Sequence, residues 1–136
     1  MACENVELRK VNEVKEGTYI LIDGKICKIT KIEKSKAGKH GSAKARIEAV
    51  ELDTGRKKQV LKSTSDNIEV PIIEKKTAIV SAVLDKEKGI VQLMDSLTYE
   101  IFEAVVEENL KDMISEGQEV VYWDMCGEKV VKQIKQ

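Results

Sequence analysis

Short segments in which apolar and polar residues alternate recur along the chain, and this period of two is typical of β-strands with one buried face. The first are Tyr19–Ile22 and Lys25–Glu33, joined by Asp23-Gly24, a dipeptide that favours a tight hairpin turn. Ala43–Leu52 continues the alternation, and the turn residues after it lead into Lys57–Lys62. The first half of the chain is therefore predicted to form antiparallel hairpins.

A second series of strand-like segments follows Pro71, the only proline in the chain. Its members are Thr77–Leu84, Ile90–Met94, Tyr99–Val106, Val120–Met125 and Lys129–Ile134. Before the fourth of these, residues Glu107–Glu116 place apolar side chains at helical spacing ahead of Gly117, which predicts a short helix. Five strands with a helix before the fourth are compatible with an OB-type barrel, although other small barrels share this pattern.

These two series predict an all-β protein with two small domains, residues 1–70 and 71–136, and a boundary at Pro71. The net charge changes sign there, because residues 1–70 carry +4 (15 Lys and Arg against 11 Asp and Glu) and residues 71–136 carry −5 (8 against 13). Residues 25–46 hold eight cations against Glu33 alone. Such an excess attracts phosphate groups, although a basic stretch can also be only a solvated face.

Composition narrows the class of protein. Hydrophobic residues make up 42% and charged residues 35%, which is typical of a globular chain. Because no apolar run approaches the roughly 20 residues that span a bilayer and no signal-peptide stretch is evident, we expect a cytoplasmic protein with no membrane partner. Cys27 and Cys126 lie in apolar stretches and are expected to be buried free thiols. With one histidine and no cysteine pair, we expect no metal site.

The segment between the two longest predicted strands, residues 34–44, carries the most distinctive chemistry. Apolar residues do not recur in it at the spacing of a strand or a helix, and Gly38 and Gly41 flank the pair Lys39-His40. Glycine leaves the backbone free to adopt turns that other residues avoid, so this arrangement would present Lys39 outward with little steric cover. A lysine held in this way could enter a narrow cleft in another molecule.

The loop S-K-A-G-K-H-G-S-A-K, residues 35–44, resembles that of archaeal and eukaryotic translation initiation factor 5A. The segments Gly17–Lys28 and Lys57–Thr64 and the distribution of strands share this resemblance, which covers essentially the whole chain. The resemblance implies an SH3-like barrel followed by an OB-fold. Ser42 replaces the histidine that is usual in eukaryotic members, which is the archaeal pattern. The related bacterial elongation factor P normally has a third domain that this chain is too short to hold.

The resemblance implies that Lys39 is converted to deoxyhypusine or hypusine, with deoxyhypusine synthase transferring the aminobutyl group of spermidine. It implies no other cofactor and no catalytic residue. Residues implied in loop shape, contact with the modifying enzyme or ribosome contact are Lys36, Gly38, His40, Gly41 and Lys44, with Lys34 and Arg46 as weaker RNA contacts. The implied function is to bind ribosomal RNA beside peptidyl-tRNA, as a monomer, and to promote peptide-bond formation, especially at proline-rich sequences.

Two other functions are compatible with part of the sequence. A general OB-fold RNA-binding or RNA-chaperone protein would explain the basic charge but not a single glycine-flanked lysine. Its single-strand platform would use stacking aromatic residues, and residues 72–136 supply only four, which are expected to be mostly core. They are Tyr99, Phe102, Tyr122 and Trp123. An enzyme using Lys39 or His40 is disfavoured because the loop holds no carboxylate and the chain no second histidine or Walker motif.

Overall fold

The computed structural model describes residues 5–35 and 43–135, and the chain divides into two compact units, Met1–Ile72 and Ile73–Gln136. The described part of the first unit contains strands β1 (Val6–Lys10), β2 (Tyr19–Ile22), β3 (Lys25–Ser35), β4 (Lys44–Glu51), β5 (Lys57–Ser63) and β6 (Asn67–Pro71). Strands β2 to β5 form an antiparallel sheet in chain order, while β1 pairs with β6. A 3₁₀ turn, Val11–Glu13, follows β1.

Local sequence explains the central hairpins of this unit. Asp23 and Gly24 both have positive φ, 52° and 78°, as the primed turns that join twisted strands require. On β4 the residues Ala45, Ile47 and Ala49 are fully or almost fully buried, and the residues between them are not. The predicted period of two is confirmed there, and it places one face of β4 in the core of the first unit.

The second unit is a closed five-stranded barrel of β7 (Ile73–Asp85), β8 (Ile90–Asp95), β9 (Ile101–Val106), β10 (Glu119–Met125) and β11 (Glu128–Ile134). The strand order around the barrel is β7-β8-β9-β11-β10, returning to β7, and only the β9–β11 pair is parallel. Its core includes the inward residues Val80, Leu93, Val120, Tyr122 and Val131. The all-β class predicted from the sequence, with an OB-type barrel as the second element, is confirmed.

The helix predicted over residues 107–116 is much shorter than expected. Only a single 3₁₀ turn, Glu108–Leu110, forms, and it continues into turns rather than an α-helix. The amides of Leu110 and Met113 donate to carbonyls three residues earlier, as in 3₁₀ geometry. Leu110 packs against the barrel core but Met113 is exposed, so the apolar spacing that predicted the helix does not define one buried face.

The sequence placed the domain boundary and a hinge at Pro71. Pro71 is the last residue of β6 and pairs with Val6, and the division between the two units falls after Ile72. A hinge at Pro71 stays a prediction.

The two cysteines expected to be buried thiols differ from each other. Cys27 is a fully buried free thiol, and burial raises its pKa. Cys126 lies in the turn between β10 and β11, is partly exposed and is disulfide-bonded, so the expectation was wrong for it. The apolar residues around Cys126 in the sequence belong to the flanking strands.

Within residues 5–35 and 43–135, no helix is long and apolar enough to cross a membrane.

Candidate functional site

Of the site residues predicted from the sequence, those at the tip of the loop lie outside the described residues. They are Lys36, Gly38, Lys39, His40 and Gly41. The structure does describe the two ends of the loop, Ser35 on β3 and Lys44 on β4, which are directly paired across the hairpin. The Ser35 hydroxyl donates to the Lys44 carbonyl at 3.4 Å. The chain therefore enters and leaves the loop at two positions that are fixed side by side.

This hairpin end is supported from both sides. Strand β4 pairs with β3 along one edge and with β5 along the other. The second pairing is extended beyond Lys44 by the amide of Thr64, which donates to the carbonyl of Ala43 at 2.9 Å. Ala45 and Ile47 are fully buried and anchor this end of β4 in the core of the first unit. A loop carried by such a base is better positioned than one on a free edge.

The three described cations of the predicted site meet at one shallow cavity of about 240 Å³. Its lining consists of Glu33, Lys34, Ser35, Lys44, Arg46 and Leu61. Lys44 and Arg46 are exposed, and neither forms an ion pair with a carboxylate in the described part of the chain. Arg46 is opposite Glu33 on β3 and exposed Leu61 on β5. The cavity rim is net positive and suits an anionic group such as phosphate.

Lys34 differs from the other two cations. It is opposite the fully buried Ala45, and its ammonium donates to the backbone carbonyl of Asn12 at 3.1 Å. Asn12 belongs to the 3₁₀ turn after β1, and its amide donates to the carbonyl of Thr64. Lys34 thus ties the end of β3 to a segment far away in sequence. Lys34 therefore stabilises the base of the loop in addition to carrying positive charge.

Two cations that the sequence counted toward the basic stretch are paired with carboxylates in the fold. Lys25 pairs with Asp53 at 3.2 Å, and Lys31 pairs with Glu33 at 2.8 Å. These hydrogen-bonded carboxylates raise the pKa of each lysine. Counting within residues 25–46 did not include Asp53, which approaches Lys25 only through the fold. The positive charge that remains available is concentrated toward the end of the hairpin.

Glu51, at the other end of β4, is a buried carboxylate that sequence analysis did not single out. It is 3% exposed, accepts a hydrogen bond from the Thr54 hydroxyl and pairs with Lys58 at 3.4 Å. The hydrogen bond from Thr54 is the main cause of the lowered pKa of Glu51. Its backbone also accepts from the amide of Gly55 at 2.9 Å. These contacts fix the β4–β5 turn and indicate a structural role.

The aromatic residues of the second unit do not form one stacking platform. Tyr122 is buried and packs against Phe102, with ring centroids 5.1 Å apart. The expectation of core positions was wrong for Tyr99, which is 69% exposed, and only partly met by the half-buried Trp123. The ammonium groups of Lys75 and Lys132 lie 5.2 and 4.5 Å from the centre of the Trp123 ring. Both cations thus already interact with the one half-exposed indole, which weakens the general RNA-binding alternative.

Comparisons with known proteins agree with this fold. The family described as translation initiation factor 5A-like, N-terminal, matches residues 6–66. A protein of Pyrococcus furiosus named translation initiation factor 5A is 47% identical over 130 residues, covering 93% of this chain and 92% of its own. The protein of the same name from Nanoarchaeum equitans is 45% identical over 140 residues, covering 95% and 96%.

A solved structure extends the similarity to three dimensions. The protein described as eukaryotic translation initiation factor 5A from Methanococcus jannaschii superposes with a TM-score of 0.79 and 33% sequence identity. The match covers 99% of this chain and 98% of that one. The similarity therefore extends over both units and is not confined to the segment that holds the loop.

Proposed function

Because the chain belongs to the translation initiation factor 5A family, we propose that this translation factor binds the ribosome beside peptidyl-tRNA and acts through a modified Lys39. The observation that supports this proposal most directly is the β3–β4 hairpin. Its paired ends, Ser35 and Lys44, hold the loop that carries Lys39, and exposed cations border that end. Nothing in the proposal requires the chain to catalyse a reaction itself.

The modification supplies reach and charge. Deoxyhypusine synthase would transfer the aminobutyl group of spermidine to the Lys39 amine, giving deoxyhypusine, and hydroxylation would give hypusine. The product carries two amines on a long flexible arm, so it can donate to RNA phosphates and 2′-hydroxyls that plain lysine does not reach. Flanking glycines and the neighbours Lys36 and His40 are proposed to fit the loop to the modifying enzyme.

The ribosome, rather than this protein, would perform the chemistry. An arm extended toward the peptidyl-transferase centre would order the acceptor end of peptidyl-tRNA, and correct positioning alone can lower the barrier to a slow bond. Proline-rich nascent sequences, whose peptide bonds form slowly, are the expected beneficiaries. This role places the protein in the cytoplasm, acting as a monomer on each ribosome.

The modification is directly measurable. In protein purified from its native host, intact mass and peptide mapping should show an added aminobutyl group on the peptide that contains Lys39, with or without one further oxygen. Protein made in a bacterium without deoxyhypusine synthase should carry plain lysine there and gain the group after treatment with the synthase and spermidine. Unmodified Lys39 in the native protein would contradict the proposal.

The basic hairpin end should make ribosome binding depend on salt. Replacing Lys34, Lys36 and Lys44 together with glutamine removes up to three phosphate contacts, so the slope of log affinity against log salt should become shallower by about 2. Titration of fluorescent protein onto ribosomes at several salt concentrations measures this slope.

A matched triple variant separates site charge from total charge. Lys25, Lys28 and Lys31 lie on the same strand, β3, but Lys25 and Lys31 are already paired with carboxylates and Lys28 lies over the Tyr19 ring. Their replacement by glutamine should change the slope much less. Equal effects of the two triple variants would show that the hairpin end is only a solvated basic face.

A further inference from the structure

The outward surface of the barrel carries a row of apolar side chains across three strands. Ile79 on β7 is opposite Met94 on β8, which is opposite Ile101 on β9. Residues directly opposite each other project to the same face, and the neighbouring Val80, Leu93 and Phe102 face the core. Ile101 is 61% exposed, while Ile79 and Met94 are partly exposed. Three aliphatic residues in register on a solvent face are unusual for an unpartnered sheet.

The rest of this face does not suit nucleic acid. The next outward pairs on β8 and β9 are Gln92 with Glu103 and Ile90 with Val105. None of the residues in these three rows is aromatic, lysine or arginine: they are Ile79, Met94, Ile101, Gln92, Glu103, Ile90 and Val105. In OB-folds that bind oligonucleotides, the corresponding second and third strands stack bases on aromatic side chains and attract phosphates with cations. The three rows on β7, β8 and β9 have neither feature.

The loop that leads into β9 is rigidly built. The buried carboxylate of Asp95 accepts from the amides of Leu97 and Thr98 at 2.8 and 2.9 Å. Tyr99 has a φ of 62°, which is costly for a bulky side chain, and this conformation is maintained by the hydrogen bond that the Tyr99 amide donates to the Asp95 carbonyl at 3.0 Å. Leu97 and Tyr99 are nevertheless 87% and 69% exposed. The fold thus holds large apolar side chains in solvent instead of turning them inward.

Charge around the row selects the chemistry of a partner. Glu100 directly precedes Ile101, Glu103 lies two residues after it on the same strand face, and both glutamates are exposed. Neither carboxylate forms an ion pair with another residue in the part of the chain that the structure describes. Unpaired carboxylates beside an apolar row repel phosphate and attract lysine or arginine.

We infer that the outward face of β7, β8 and β9, centred on Ile79, Met94 and Ile101, docks a protein segment that combines aliphatic side chains with lysine or arginine. The barrel is closed, so this face offers no free strand edge, and the partner is held by side chains rather than by strand addition. This surface belongs to the second unit, whereas the hairpin that carries Lys39 belongs to the first. It provides this chain with a protein contact in addition to the proposed contact with RNA.

Amide chemical shifts of the isotope-labelled full chain, titrated with three probes, test the inference. The probes are a short amphipathic peptide of leucine and lysine, its leucine–glutamate counterpart, and a short single-stranded RNA. The leucine–lysine peptide should shift amides of β8 and β9. Ile101→Ser should weaken its binding about tenfold, because the buried aliphatic area is lost. Glu103→Lys should transfer the preference to the leucine–glutamate peptide.

Leu8→Ser is the control, because Leu8 is 64% exposed but belongs to β1 in the first unit. It should leave peptide binding unchanged. The inference is overturned by RNA-induced shifts on β8 and β9, by equal binding of the two peptides, or by peptide binding that Ile101→Ser leaves intact. Absence of any shift with the leucine–lysine peptide would also overturn it.

Discussion

Lys39→Arg is expected to leave the protein folded and to abolish its stimulation of slow peptide bonds. A lysine that the sequence predicts at the tip of a glycine-flanked loop is expected to contribute little to stability, so the thermal midpoint should stay close to that of the wild type. Arginine keeps the positive charge, but its delocalised guanidinium is not a nucleophilic amine and should accept no aminobutyl group. Ribosome binding should survive in part, because Lys44 and Arg46 at the hairpin end are unchanged.

The measurement is translation of a polyproline reporter with saturating factor, comparing modified wild type with the Lys39→Arg variant. Stimulation by the variant should fall to the level seen without any factor. Lys44→Arg serves as the matched control, since it makes the same substitution at the base of the same loop and should keep most of the activity. Equal stimulation by Lys39→Arg and wild type would exclude the modified-lysine mechanism and leave a basic RNA-binding protein, for which one conservative exchange hardly matters.

Much of the fold could be predicted because it is encoded locally. Asp23-Gly24 defined its hairpin through the positive φ that this turn demands, and the alternation along β4 identified the residues that are buried. Strand β1 was not predicted, because after Val6 its residues are all exposed and give no period of two. The helix before β10 was overestimated because apolar spacing alone does not distinguish an α-helix from a 3₁₀ turn followed by loops.

The candidate site was predictable only in its residue types. The sequence grouped Lys25, Lys34 and Arg46 as equivalent cations, whereas the fold pairs Lys25 with Asp53 and bonds Lys34 to the Asn12 carbonyl. Those partners are distant in sequence, so no local pattern reports them. No local pattern predicts the exposure of Tyr99 either, because Tyr99 lies in a left-handed turn that depends on buried Asp95.

Asp95 itself leads to the second large effect, which concerns stability in acid. Its carboxylate is 5% exposed and accepts the hydroxyl of Tyr122 at 2.5 Å as well as two backbone amides. The hydrogen bond from Tyr122 is the main cause that lowers the pKa of Asp95 from 3.8 to about 2. Burial, together with the adjacent carboxylate, raises the pKa of Tyr122. The folded state therefore prefers the ionised form of Asp95, and protonating it opposes folding.

Because the pKa of Asp95 is lower in the folded chain than in the unfolded chain, its contribution is complete above about pH 5 and disappears as the pH falls from about 4 toward 2. A shift of nearly two units corresponds to about 2 kcal/mol, so Asp95→Asn should lower the free energy of unfolding by about that amount at pH 7. The difference in the free energy of unfolding between the wild type and Asp95→Asn should fall below about 1 kcal/mol by pH 2.5. Carboxylates common to both proteins cancel in the comparison.

Urea unfolding followed by the fluorescence of Trp123, the only tryptophan, reports on the unit that contains Asp95. Tyr122→Phe removes the hydroxyl donor and should also reduce the acid dependence, because the pKa of Asp95 then rises toward its ordinary value. Asp112→Asn, at an exposed position of the same unit, should change the free energy of unfolding by less than about 0.5 kcal/mol. Two outcomes would show that the buried carboxylate does not stabilise the barrel. In the first, Asp95→Asn is as stable as the wild type at pH 7; in the second, it loses stability in acid as steeply as the wild type does. The loop that holds Leu97 and Tyr99 in solvent would then need another anchor.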